Sequence, residues 1–177
     1  RNYHSPIFQA VQCEGGSDLF EVDYFGKKDV FLAQTWQLYA EPAIFALEKI
    51  YTICPSFRAE KSKTSRHLTE YWHAEMEMAW SDFKDIQDHG EKLLKFVVKA
   101  VLEKHKPELE LLERDWKKLE PTVKKPFVRM TYTEALKILK DKCEMDVPWG
   151  KDLRTIEEDK LSKLYDVPII CTHYPKK

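Results

Sequence analysis

Arg58 and Glu60 stand two residues apart, and Arg66, His67 and Tyr71 follow within one short stretch. These residue types hold anions and rings. A guanidinium fork matches phosphate or carboxylate oxygens, and an imidazole adds a donor. A phenol ring offers a flat face to a base. The run Ser56 to Glu77 carries apolar or aromatic residues at both ends and a polar, basic centre. Read as two strands joined by a charged loop, it gathers Arg58, Arg66 and His67 around one anionic site, with Tyr71 as a platform beside it. That chemistry suits a nucleoside triphosphate.

Each of these residues also has a plainer reading. Arg58 and Glu60 share a strand face, because residues two apart do, and so could form a surface ion pair, which is common and weak. Arg66-His67 could be a solvated turn, and a strand tyrosine such as Tyr71 often packs in a core. Glu75 and Glu77 alternate with apolar neighbours. They could serve structural ion pairing or read the polar end of a substrate. Gln34-Thr35-x-Gln37 is a polar cluster at a strand-to-helix junction, where Thr35 could also cap the helix. Glu14 lies in a Gly-flanked loop, free to move over a site or merely solvated. His4, His73, His89, His105 and His173 have no ligand or relay spacing and read as surface or packing residues.

With 177 residues, 43% of them hydrophobic, the chain can bury a real core and fits one domain. A net charge of −1 provides no global field for nucleic acid or membrane. Only five glycines are present, and neither GxGxxG nor GxxxxGK[ST] occurs, which disfavours a Gly-rich phosphate loop. The four cysteines lack zinc spacing and read mostly as small buried hydrophobes in a reducing, cytoplasmic setting. No long apolar run or signal-like segment occurs, so a soluble protein with no membrane partner is expected. The first residue is Arg1 and the last are Lys176-Lys177; the chain reads as a piece of a longer polypeptide.

Residues 1–12 read as an extended leading segment. Leu19–Tyr24 and Val30–Ala33 read as short strands joined through Phe25–Asp29. A helix is expected over Trp36–Leu47, bent or restarted at Pro42. Glu48–Phe57 and Thr69–Trp80 pair as antiparallel strands around a long charged loop of the kind that carries function. Ser81 or Asp82 caps a long helix, Phe83 to about Lys104. A charged helical segment follows to Leu119, then a linker over Glu120–Pro126. Phe127–Met130 is a strand. Thr131-x-x-Glu134 and Thr155-x-x-Glu158 are capping boxes that open two more helices. Val167–Thr172 is a buried strand. This order favours an α+β fold, an antiparallel sheet flanked by helices, over a βαβ array.

Taken together, Phe57-Arg58-Ala59-Glu60, Arg66-His67-Leu68-Thr69-Glu70-Tyr71 and Glu75-x-Glu77 resemble motif 2 of the class II aminoacyl-tRNA synthetases, aspartyl/asparaginyl branch. Glu14-Gly15-Gly16 before Leu19-Phe20 resembles the mobile loop of that branch. Gln34-Thr35-Trp36-Gln37-Leu38-Tyr39 resembles its QS-x-Q-L-[YF] segment, and Arg129–Ala135 a downstream element. The likeness runs through nearly the whole chain. It implies an incomplete class II catalytic core over residues 1–177, holding the motif 1 tail, motif 2 and an insertion. By the same resemblance, motif 3 and the anticodon-binding domain are expected to be absent from these residues.

The resemblance also implies roles. Arg58 would bind the α-phosphate of ATP and the substrate carboxylate, Glu60 the adenine end, His67 the γ-phosphate with Arg66 nearby, and Tyr71 would stack on adenine. Glu14, Thr35 and Gln37 would hold the amino-acid ammonium group. The reaction implied is amino-acid activation with ATP and Mg2+, the metal ligands lying outside these residues, followed by transfer to tRNA in a homodimer. The aspartyl members carry a lysine where this chain has Ala40, and usually an aspartate where it has Glu75. A substrate carboxylate without its cation is disfavoured, and Glu75 can accept from an amide NH2. Both point to asparagine and tRNA(Asn), as in the archaeal-type asparaginyl members. Two other expectations stand beside this one: a paralogue making asparagine from aspartate, ATP and ammonia, and a non-catalytic module that kept the fold. The 177 residues alone are expected not to complete the reaction.

Overall fold

The computed structural model describes residues 1–10, 18–61 and 67–176. The chain forms two compact units, Arg1–Ser81 and Asp82–Lys177.

In the first unit, β1 (Phe8–Gln9) pairs antiparallel with β2 (Phe31–Leu32). Glu21 bridges Phe31, and the chain reverses at Phe25-Gly26, both with positive φ (54° and 72°). The Lys27 N–H closes that turn on the Tyr24 carbonyl at 3.0 Å. Two successive positive φ values suit the twist of a hairpin, and Gly26 adopts its value without steric cost. α1 (Gln37–Leu47) follows and runs through Pro42 as one helix instead of restarting there. Its anchor is tertiary: Ala40 is fully buried with Trp36 and Ile50, and Tyr3, Ile44 and Cys54 pack around them. β3 (Lys49–Phe57) and β4 (Glu70–Met78) form the expected antiparallel hairpin, with Ser56 opposite Tyr71 and Thr52 opposite Glu75. Strand alternation then puts Ile50, Thr52, Cys54 and Ser56 on one face with Tyr71, His73, Glu75 and Glu77.

In the second unit, α2 (Phe83–Lys104) starts at Asp82, whose carboxylate accepts from Asp85 N–H at 2.8 Å while Asp85 returns the bond at 3.1 Å. α3 (Lys106–Leu111) and a 3-10 turn (Trp116–Leu119) follow. The stretch expected as a linker is instead helical: α4 (Glu120–Lys124) has Pro121 in its first turn, where a missing N–H costs nothing. β5 (Val128–Thr131) leads into α5 (Tyr132–Cys143) through the predicted Thr131–Glu134 box.

α6 (Thr155–Ser162) starts one residue out of the expected frame. Glu157, not Glu158, turns back to residue 154, because Glu157 is buried at 2% exposure and needs the Arg154 guanidinium, 2.5 Å away. β6 (Ile169–Thr172) pairs with β5, and the pairing is parallel, Val128 opposite Ile169. The α+β class holds, but this pair departs from an all-antiparallel sheet because α5 and α6 supply the long crossover that parallel strands need. β6 is half-buried rather than buried, and Cys54, Cys143 and Cys171 are half-buried thiols, not core residues. Met130, Tyr132, Ala135, Leu139, Leu153 and Leu161 make the core. Among the described residues, no helix is long and apolar enough to cross a membrane.

Candidate functional site

The hairpin does place cation and ring together. Arg58 N–H donates to the Thr69 carbonyl at 2.9 Å, so the ladder continues one residue past β3. This keeps Arg58 on the face of Ser56 and Tyr71, and its guanidinium carbon lies 5.8 Å from the Tyr71 ring centre. Glu60 and His67 are exposed, on either side in sequence of residues 62–66. Glu14 and Arg66, both expected in the site, lie outside the described residues.

The second half of the site forms where α1 begins. The Thr35 hydroxyl donates to Glu75 Oε1, and Trp36 N–H donates to Glu75 Oε2 at 3.1 Å. Thr35 Oγ1 in turn accepts Gln37 N–H at 3.1 Å, satisfying one of the orphan donors of the first helical turn. The N-cap of α1 is Trp36, and the Thr35 hydroxyl one residue earlier both meets Glu75 and takes a donor of the first turn. The Gln37 side chain donates to Glu41 Oε1 at 3.1 Å. One carboxylate on β4 thus fixes the three-residue segment Thr35-Trp36-Gln37. Glu75 is 13% exposed, so these bonds form largely away from water.

His73, read from sequence as a surface or packing residue, belongs to this network. Its Nδ1 lies 3.2 Å from Ser56 Oγ and 3.2 Å from Glu75 Oε2. Its ring centre lies 5.4 Å from that of Tyr71. His73 thereby links the Arg58–Tyr71 half to the Glu75–Thr35 half. The signal that could have found it was the two-residue alternation already used for Tyr71 and Glu75. Gln34 was likewise under-read: it is 7% exposed, and its Oε1, like the Trp36 Nε1 next but one, has no hydrogen-bond partner among the described residues.

Charge at the site is acidic on one side. Burial, then Glu41, then Glu75 push the Glu77 carboxyl above its ordinary value of 4.5. Ala40 is wholly buried against Trp36 and Ile50, so no cation stands at that position. Among the described residues, no three His, Cys, Asp or Glu side chains gather where they could hold a metal.

The family model for the tRNA synthetases class II (D, K and N) matches residues 2–177. This chain belongs to that family. It is 44% identical to the asparagine--tRNA ligase of Thermoplasma acidophilum over 172 residues, 97% of this chain and 39% of the relative. It superposes on the crystal structure of asparaginyl-tRNA synthetase from Pyrococcus horikoshii complexed with asparaginyl-adenylate with a TM-score of 0.90. That match has 44% identity and covers 98% of this chain and 39% of the other. The aspartyl-tRNA synthetase of Entamoeba histolytica is more distant: TM-score 0.64 at 27% identity, over 92% of this chain and 30% of that one. The chain thus spans about two fifths of the length of the curated relatives it matches.

Proposed function

We propose that this chain is part of an asparagine–tRNA ligase. In the intact enzyme, the carboxylate of asparagine attacks the α-phosphorus of ATP, giving asparaginyl-adenylate and pyrophosphate. The aminoacyl group then passes to tRNA(Asn). The observation that carries this reading is the Glu75 carboxylate fixed at Thr35 and Trp36, with Ala40 in place of a cation. A substrate carboxylate brought near Glu75 would meet like charge in a poorly solvated place. A neutral amide NH2 would instead find an acceptor, since each carboxylate oxygen has two lone pairs.

The remaining roles are those that the family resemblance implies. Arg58 neutralises charge on the α-phosphate and aligns the attacking carboxylate, while Tyr71 offers its face to adenine. Thr35 Oγ1 and Gln37 accept from the amino-acid ammonium group, with Glu14 as a third partner. Glu60, Arg66 and His67 attend the adenine and γ-phosphate ends of ATP. Mg2+ ligands, a homodimer partner and the anticodon-binding part belong to the intact enzyme, which acts in the cytoplasm. Both compact units are parts of one catalytic domain in this reading. The family match and the asparaginyl relatives support it.

The test is ATP–pyrophosphate exchange by the intact enzyme, with asparagine or aspartate as the amino acid. Exchange dependent on asparagine is expected. Exchange with aspartate alone would transfer the assignment to an asparagine-forming paralogue, and absence of ATP binding by calorimetry would leave a non-catalytic module.

A further inference from the structure

Thr35 is held at a second point. Its carbonyl accepts from the side-chain amide of Gln9, with Nε2 to oxygen 3.3 Å. The same Nε2 donates to the Pro6 carbonyl at 3.2 Å. Gln9 is 4% exposed and stands opposite Phe31 on the β1–β2 ribbon. The carbonyls of α1 begin to accept only at Trp36, which takes the N–H groups of Tyr39 and Ala40. The Thr35 carbonyl precedes that turn, and Gln9 supplies the donor that the helix does not.

A buried glutamine is an expensive way to fill space. An apolar side chain would pack on a two-residue strand equally well and need no partners. The Gln9 amide earns its place by tying two carbonyls from segments far apart in sequence. One of them belongs to the residue whose hydroxyl and neighbouring N–H are already fixed by Glu75. Thr35 is thus clamped from β4 through its side chain and from β1 through its backbone. Gln37, whose N–H binds Thr35 Oγ1, inherits the constraint.

Resting on the reading that Thr35 and Gln37 hold the ammonium group of the amino acid, we infer that Gln9 is a positioning residue for amino-acid binding. It touches no substrate and acts through the Thr35 carbonyl. Losing its donor lets the Thr35–Gln37 segment shift, which weakens asparagine binding and leaves the Arg58–Tyr71 half of the site untouched.

The experiment compares Gln9→Met, Gln9→Glu and Thr35→Val in the intact enzyme by ATP–pyrophosphate exchange, with KM measured separately for asparagine and ATP. Gln9→Met keeps the bulk and removes the amide; Gln9→Glu keeps the shape and faces the carbonyls with an acceptor. In both, KM for asparagine is expected to rise about five-fold or more, with KM for ATP within about two-fold. An unchanged KM for asparagine, or an equal rise in both constants, overturns the inference. If Gln9→Met does not fold, Gln9→Glu and Gln9→Asn carry the same readout. Thr35→Val separates the two levels. If it leaves KM for asparagine unchanged, the underlying site reading falls; if it raises that KM while the Gln9 variants do not, only the role of Gln9 falls.

Discussion

Glu75 on β4 accepts the hydroxyl proton of Thr35, a residue 40 positions earlier in the chain, and with its other oxygen accepts the N–H of Trp36. One carboxylate therefore ties the functional hairpin to the first turn of α1. Both of its oxygens meet donors, which makes the site intolerant of a glutamine. Glu75→Gln can keep an oxygen on the Trp36 N–H but turns its NH2 toward Thr35, which reverses that bond and takes the charged acceptor away from the Thr35 hydroxyl. The expected outcome is a stability loss of about 1–3 kcal/mol in chemical denaturation, with KM for asparagine in the exchange assay raised about ten-fold.

Arg58 and Tyr71 lie together, 5.8 Å from guanidinium carbon to ring centre. In its proposed role Arg58 spans the α-phosphate and the substrate carboxylate, and lysine cannot reproduce that planar fork. Arg58→Lys is expected to lower the exchange rate by about a hundred-fold, an effect of the size seen when one transition-state donor is removed. Tyr71→Ala should raise KM for ATP about ten-fold, and Tyr71→Phe should change it little, since stacking uses the ring. Equal losses in the Phe and Ala variants would assign the tyrosine role to its hydroxyl instead.

Ala40 is sealed among Trp36, Ile50 and their neighbours. Placing a lysine there both overfills the cluster and buries a charge. Ala40→Lys is expected to cost about 2–4 kcal/mol of stability and to abolish asparagine-dependent exchange. Urea titration followed by tryptophan fluorescence measures the first effect, because Trp36 reports on that cluster.

Glu77 has a carboxyl raised by burial and by the neighbouring Glu41 and Glu75. A raised carboxyl pKa means the folded chain holds its proton more tightly than the unfolded chain. Ionised Glu77 therefore opposes folding at neutral pH, and that penalty disappears as pH falls through the folded value toward 4.5. Glu77→Gln should show a higher Tm than the parent at pH 7 and the same Tm near pH 4. A gap that widens on acidification would contradict this account.

Glu157 behaves in the opposite sense. Its hydrogen bond to Arg154 holds the carboxyl at about 2, below the ordinary 4.5. The unfolded chain takes up that proton first, so the stabilisation is present above about 4.5 and is lost as pH falls toward 2. Circular-dichroism melts between pH 5 and 2.5 should show a falling Tm for the parent. Glu157→Gln should start lower and change less across that range.

Much of this was legible in the residues themselves. The β3–β4 hairpin was readable because two-residue alternation and a charged connector are local properties. The Thr131–Glu134 box and the length of α2 were readable for the same reason: a cap and a periodic stripe are complete within a few turns of chain. The types and order of Arg58, Glu60, Arg66, His67, Tyr71 and Glu75 point to nucleotide and amino-acid chemistry on their own.

Other features needed the third dimension. Alternation says that His73 shares a face with Tyr71 and Glu75, but not that Ser56 and Glu75 would both lie 3.2 Å from its Nδ1. The box at α6 slipped by one residue because burial of Glu157 beside Arg154 outweighed the Thr155 pattern. β5 and β6 paired in parallel because the helices between them set the direction of return. The amino-acid types and their local periods were fixed in one dimension, and they determine which chemistry the chain can do. Which distant segment satisfies each buried donor or acceptor, as Gln9 and Glu75 do at Thr35, is decided by packing between elements, since a hydrogen bond across 26 or 40 residues leaves no periodic trace in the sequence.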